Sequence, residues 1–316
     1  MVRRRTILVA VATVGIATSF AASAWVRTHV TATDGGAGPC IFWGPRGHSF
    51  MIDSRGTPDV PGDAAFVALR NGFKTWADVG CSDLVFPDLG LSTDPANRRT
   101  GYVAGAYNRN LLFFRTANCE VIVPQGNPCW QTLSCGNAYD CWGHDSSVIA
   151  TTTTTTNRST GQLLDADVEF NDSVASDGTK YNFTTVDSPA CDGVVTSNCV
   201  NIDVQNTATH EEGHTLGLAH PPDHPEATMY ASAPEGEISK RVLAQDDIDA
   251  ICTIYPKGAA TSTCLGDPVE FTVTSESDNK GCGCTSSGSA APSLEGGLAA
   301  IAIWTLFRSQ ARRRAI

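Results

Sequence analysis

The stretch His210-Glu211-Glu212-Gly213-His214-Thr215-Leu216-Gly217-Leu218-Ala219-His220 decides how the rest of the chain is read. At about 100° per residue, His210, Glu211 and His214 fall on one face of an α-helix, two imidazoles beside a carboxylate. His220 lies beyond His214 by six positions. On a continuous helix it would point about 120° away and sit about 9 Å further along the axis. The helix must therefore end between them. Gly217 can end it, because a residue without Cβ takes positive φ at little cost and can swing His220 back. Three neutral imidazoles then fill three corners of a tetrahedron and leave the fourth open, the arrangement of a catalytic zinc. Glu211 is not needed as a ligand and is free to act as a proton acceptor.

The same spacing is the HExxHxxGxxH signature of the metzincin metalloproteases. Thr228-Met229-Tyr230 follows where that clan places the methionine turn, and Leu243-Ala-Gln-Asp-Asp-Ile-Asp-Ala-Ile251 precedes Tyr255. Among metzincins the chain most resembles the matrixins, over residues 40 to 256 and most strongly from Asn201 onward. The resemblance implies an α+β fold: a twisted, mainly parallel five-stranded sheet, three main helices and a cleft along an edge strand. It also implies a zinc endopeptidase with His210, His214 and His220 on the metal, Glu211 as general base, and Met229 beneath the site. Asp246 and Asp247 would brace its floor. In matrixins the strand above the zinc pairs with substrate as an added antiparallel strand; residues 147–154 hold that place here. Ala231 stands where many matrixins have a proline walling the specificity pocket, so the pocket is expected to differ. Tyr230 is one position short of the tyrosine ligand of astacin-like relatives.

Composition narrows the class. The chain of 316 residues carries 22 basic and 33 acidic side chains, net −11, and seven of the arginines lie in its two ends. The body is therefore more acidic still, which argues against nucleic acid and is compatible with calcium binding and with a secreted, soluble enzyme; the family resemblance implies protein or peptide substrates, and a monomer is expected. Twelve cysteines without paired zinc-finger spacing indicate disulfides and an oxidising compartment.

Residues 1–24 read as an export signal: Arg3 to Arg5, an apolar run from Ile7 to Phe20, then Ala22-Ser23-Ala24. The catalytic domain is expected over 25–257. Within it the pattern predicts a strand in Cys40 to Asp53 and a helix capped by Asp63 with Phe66, Leu69, Phe73 and Trp76 inward. Short strands are expected at Leu84 to Phe86 and Asn110 to Arg115. Cys119, Cys129, Cys135 and Cys141 mark a cross-linked loop over 118–146, and Cys191 with Cys199 a local bridge. The zinc helix is expected to begin near Asp203. Asp165, Asp167 and Glu169 alternate along Leu163 to Phe170, so their carboxylates share one strand face. That face is either solvated or a calcium site, since hard cations take carboxylate oxygens.

Residues 258–294 read as a linker with Val269 to Val273 a candidate strand and Gly281-Cys282-Gly283-Cys284 at its end. An apolar stretch from Gly296 to Phe307 and terminal arginines close the chain over 295–316. Twelve apolar residues fall short of the roughly 20 that cross a bilayer. This tail resembles the MYXO-CTERM sorting signals of myxobacterial surface proteins, which implies export and retention at the cell surface or outer membrane; an uncut membrane anchor is the other reading. Two further functions remain open on sequence: a metal-binding surface protein without catalysis, and a metzincin peptidase outside the matrixins.

Overall fold

A computed structural model describes residues 25–31, 37–106, 108–264 and 284–285. The segment read as an export signal, Val269 to Val273 and the terminal segment lie outside the described residues.

Five strands make the main sheet: β1 (Phe50–Asp53), β2 (Asp88–Ser92), β3 (Leu111–Arg115), β4 (Ala150–Thr156) and β5 (Leu163–Asn171). Their order is β2-β1-β3-β5-β4. The first four pair in parallel, and β4 runs antiparallel to β5, with Thr152 opposite Val168 and Thr154 opposite Ala166. A two-residue strand, Cys284–Thr285, adds to the outer edge of β4. The long helices are α1 (Ala64–Ala77), α2 (Val204–Thr215) and α3 (Gln245–Ile254). The fold is thus α+β, as the resemblance implies.

Leu111 to Phe114 are buried without interruption, the pattern of a strand covered on both faces. Helices α1 and α2 cover one of them. Phe66, Leu69 and Phe73 of α1 and Val204 and Ala208 of α2 join Phe50, Ile52, Leu112, Phe114, Val168 and Phe170 in one core. A second core gathers Trp43, Trp76, Leu216, Met229, Ile251, Ile254 and Tyr255 around the end of α2. At about 1.5–3 kcal/mol for each large apolar side chain buried, these two cores hold the zinc helix rigidly against the sheet.

Among the described residues five disulfides tie the periphery: Cys40–Cys264, Cys81–Cys252, Cys119–Cys141, Cys129–Cys135 and Cys191–Cys199. Cys81–Cys252 joins the end of α1 to α3, while two bridges are nested in the loop before β4. Such density is typical of proteins that fold in an oxidising compartment. No helix among the described residues is long and apolar enough to cross a membrane.

Several local expectations need correction. Residues 40–53 are not one strand: Gly44 to Gly47 break the run, and Gly47, at φ +101°, lies so close to the Val85 carbonyl that a Cβ would stand 2.0 Å from its oxygen. Leu84 to Phe86 form no strand. Val85 N–H makes one bond, to Arg46 O, and Pro87 cannot extend a ladder. The pairing starts instead at Asp88. Asp63 precedes α1, but its backbone is already near-helical (φ −93°, ψ −6°) and its side chain accepts no cap bond. A capping side chain needs the extended conformation. The edge strand begins at Ala150, not at residue 147.

Candidate active site

Asp203 at the start of α2 is extended (φ −77°, ψ 125°) and its carboxylate accepts the Asn206 N–H at 2.7 Å, which fixes the start of the helix. Arg241 pairs with the same carboxylate and with Asp187. Seven residues on, the helix presents His210, Glu211 and His214, all buried. It stops at Leu216, and Gly217 takes φ +89°. A Cβ there would meet Ile41 O at 2.5 Å. The chain then reverses through Leu218–Ala219 and delivers His220.

The three Nε2 atoms converge: His220 lies 3.1 Å from His210 and 3.0 Å from His214. The Nδ1–H of His210 donates to Thr228 O at 2.7 Å and that of His214 to Leu218 O at 2.8 Å. Those bonds turn the Nε2 lone pairs of both rings inward. Lone pairs so close, with no proton between them, repel unless a cation sits at their centre. Zinc bound tetrahedrally at about 2.0–2.1 Å sets its nitrogens about 3.3 Å apart, so the residues present fit zinc. His210, His214 and His220 are the group of metal-binding side chains found among the described residues. Burial, with the charge of Lys240 and of the neighbouring rings, pushes His210 and His214 well below the ordinary imidazole range. Burial and Lys240 bring His220 to about 4. All three are neutral at physiological pH, as ligation requires.

Glu211 is fully buried and burial raises its pKa to about 8, against the Thr152 hydroxyl and the Lys240 charge, which lower it. Thr152 Oγ1 donates to its Oε2 at 2.8 Å, while Oε1 has no protein partner. Beneath the imidazoles, Met229 packs so closely on α2 that a Cβ at Gly213 would stand 2.2 Å from the sulfur. Asp247 fixes that turn, accepting Thr228 N–H at 2.8 Å and Met229 N–H at 3.2 Å. Asp246 sits beside it in the first turn of α3.

The three acidic residues of β5 are buried and take different partners. Glu169 pairs with the buried Arg115 at 2.6 Å and with His144 at 3.3 Å. Asp167 accepts Leu111 N–H and Gly101 N–H, at 2.9 and 2.8 Å. Asp165 shares a hydrogen bond with Asp167, and burial lifts both carboxyls, Asp165 to about 6.

Sequence reasoning missed three contributors. Lys240 is buried with Nζ on the carbonyls of Tyr230 and Ser232, at 2.5 and 2.8 Å, and so holds the segment after Met229. Trp43 Nε1 donates to Thr215 O, and Tyr255 OH donates to Leu216 O, bracing the end of α2. Val26–Arg27 pairs antiparallel with Leu218–Ala219, and Thr28 Oγ1 donates to Leu218 O at 3.1 Å. None had a local signal: the partners of Trp43, Tyr255 and Thr28 are distant in sequence, and the bonds of Lys240 to Tyr230 and Ser232, though only ten and eight residues away, follow no regular spacing.

A helix that carries two of three converging imidazoles and an adjacent carboxyl, with a glycine turn returning the third above a buried methionine, defines a metzincin-type metal centre. The comparisons narrow this class. The profile of the matrixin family matches residues 130–256. The neutrophil collagenase of Homo sapiens is 47% identical over 60 residues, 19% of this chain and 13% of that protein. The match therefore spans about one-eighth of that relative's length. Over residues 130–256 the chain resembles the matrixins in sequence, and its fold is of the metzincin type.

Proposed function

We propose that this chain is an exported zinc endopeptidase that hydrolyses peptide bonds of extended protein or peptide substrates. The observation carrying this reading is the placement of Glu211: a carboxyl with one oxygen fixed by Thr152 and the other without a partner, on the helix that bears His210 and His214. Zinc held by the three imidazoles would supply Lewis acidity to the scissile carbonyl and to a water molecule. With the charge of zinc beside it offsetting the burial that raises its pKa, Glu211 as the carboxylate would receive the proton of the attacking water at Oε1 and pass it to the leaving amine nitrogen. Thr152 keeps the carboxyl from rotating away during that exchange. The outer edge of β4 offers main-chain groups to a peptide laid antiparallel along it, and the segment after Met229, held by Lys240, forms the far wall of the cleft. Five disulfides support an extracellular site of action. The tail from 295 to 316, by its resemblance to a sorting signal, supports retention at the cell surface.

The test is Glu211→Ala in the purified, zinc-loaded protein. Zinc content by elemental analysis should match the parent, and casein cleavage should fall by about 10²- to 10⁴-fold, the range typical of acid–base assistance. Peptidase activity equal to the parent would remove the proposed role of Glu211. A zinc-free preparation that still cleaves casein would remove the metal.

A further inference from the structure

The short strand Cys284–Thr285 pairs antiparallel with β4, Cys284 opposite Thr152 and Thr285 opposite Thr151. Thr152 is the residue whose hydroxyl holds Glu211. The tail therefore crosses the sheet edge at the catalytic carboxyl, in the orientation the proposed function gives to substrate. An edge strand exposes a row of main-chain donors and acceptors that any extended segment can satisfy, so only one strand can use it at a time.

We propose that the C-terminal segment at Cys284–Thr285 docks on the β4 edge as an added strand and competes in cis with peptide substrate. This rests on the peptidase reading only for its consequence; the docking itself does not.

Reach and strength are compatible with that role. The Cys40–Cys264 disulfide anchors the base of the tail to the body, and the twenty residues from there to Cys284 extend to about 66 Å at 3.3 Å each. A body of this size is about 45 Å across, so the segment can reach the edge without strain. A connection of that length gives an effective concentration on the order of 1 mM. The flanking residues Gly281, Gly283, Ser286 and Ser287 have no large side chain to anchor in a pocket. Binding is therefore by main chain and weak, and it becomes significant because the segment is tethered. Such an occupant lowers activity severalfold and is displaced by a good substrate.

The experiment uses the full, zinc-loaded chain with a site-specific protease recognition sequence replacing Ser275 to Ser277. Turnover of a quenched fluorescent peptide library and hydrogen exchange over residues 150–156 are measured before cutting and after removal of the released segment. Release should lower KM about two- to tenfold with kcat unchanged, and accelerate exchange across β4. Cys284→Pro in the uncut chain, which removes a ladder N–H, should reproduce both changes. Unchanged KM and exchange after release would overturn the proposal. Faster exchange with no turnover in any form would uphold the docking and overturn the peptidase reading, so the two failures are distinguishable.

Discussion

Thr152 Oγ1 lies 2.8 Å from Glu211 Oε2 and 3.0 Å from the Glu211 carbonyl oxygen, so a single hydroxyl of the edge strand is directed at both the side chain and the backbone of the carboxylate-bearing residue. The link ties the edge proposed to pair with substrate to the carboxyl proposed to carry the proton: displacement of β4 also displaces the carboxyl. Thr152→Val keeps the shape and removes the donor. A hydrogen bond to a charged group contributes about 1.5–3 kcal/mol, so kcat should drop about 10- to 100-fold with zinc content and KM little changed. Steady-state kinetics with elemental analysis checks this; an unaltered kcat would show that Glu211 is oriented by other means.

Gly213 faces the sulfur of Met229, and a Cβ there would also stand 2.9 Å from the Trp76 ring. The Trp76 indole is held by its bond to Thr209 O, and Met229, anchored at its backbone by Asp247, is buried and has little room to shift its side chain. Although alanine favours helix, Gly213→Ala should destabilise the fold by about 1–3 kcal/mol through overpacking. Denaturant unfolding measures it. A more stable variant would mean that the turn beneath the metal is free to move.

The zinc motif was legible because its spacing is local: residues 210 to 220 carry helix phase, turn and ligands within one stretch. The sheet core was legible in part, since Leu111 to Phe114 form a buried apolar run. Alternation failed at Leu84 to Phe86, where Leu84 is buried and Val85 exposed as in a strand but no neighbouring strand is within reach of a ladder. Nothing separates Thr152 from its neighbours in a run of six threonines; only the fold sets its hydroxyl against Glu211. Lys240 and Thr28 were hidden for the same reason.

Thr28 is joined to Leu218 across a sequence separation of 190. The Leu218 carbonyl it meets also receives His214 Nδ1–H, so the N-terminal strand supports the orientation of a ligand it never touches. Groups hydrogen-bonded to metal-bound imidazoles affect affinity about 10- to 100-fold, and Thr28 acts one bond further out. Thr28→Val should weaken zinc binding about three- to tenfold. Competition with a fluorescent chelator reads the affinity directly; parent-like affinity would confine the strand to a structural role.

His48 is buried on the Trp43 ring, with centroids 4.6 Å apart, and meets Phe73 and Phe86 edge-on. Neither ring nitrogen has a hydrogen-bond partner, and burial alone brings its pKa down from 6.5 to about 3. The unfolded chain takes up a proton here below pH 6.5 and the folded chain does not until about pH 3. This group's contribution to stability is therefore complete above pH 6.5 and declines as pH falls toward 3, by about 1.4 kcal/mol per unit. His48→Phe retains the aromatic packing and has nothing to protonate. Its unfolding free energy, followed in denaturant between pH 7 and pH 4, should fall less steeply than the parent's by close to that slope. Parallel curves for the two proteins would show that His48 is reached by water or a proton donor in the folded state.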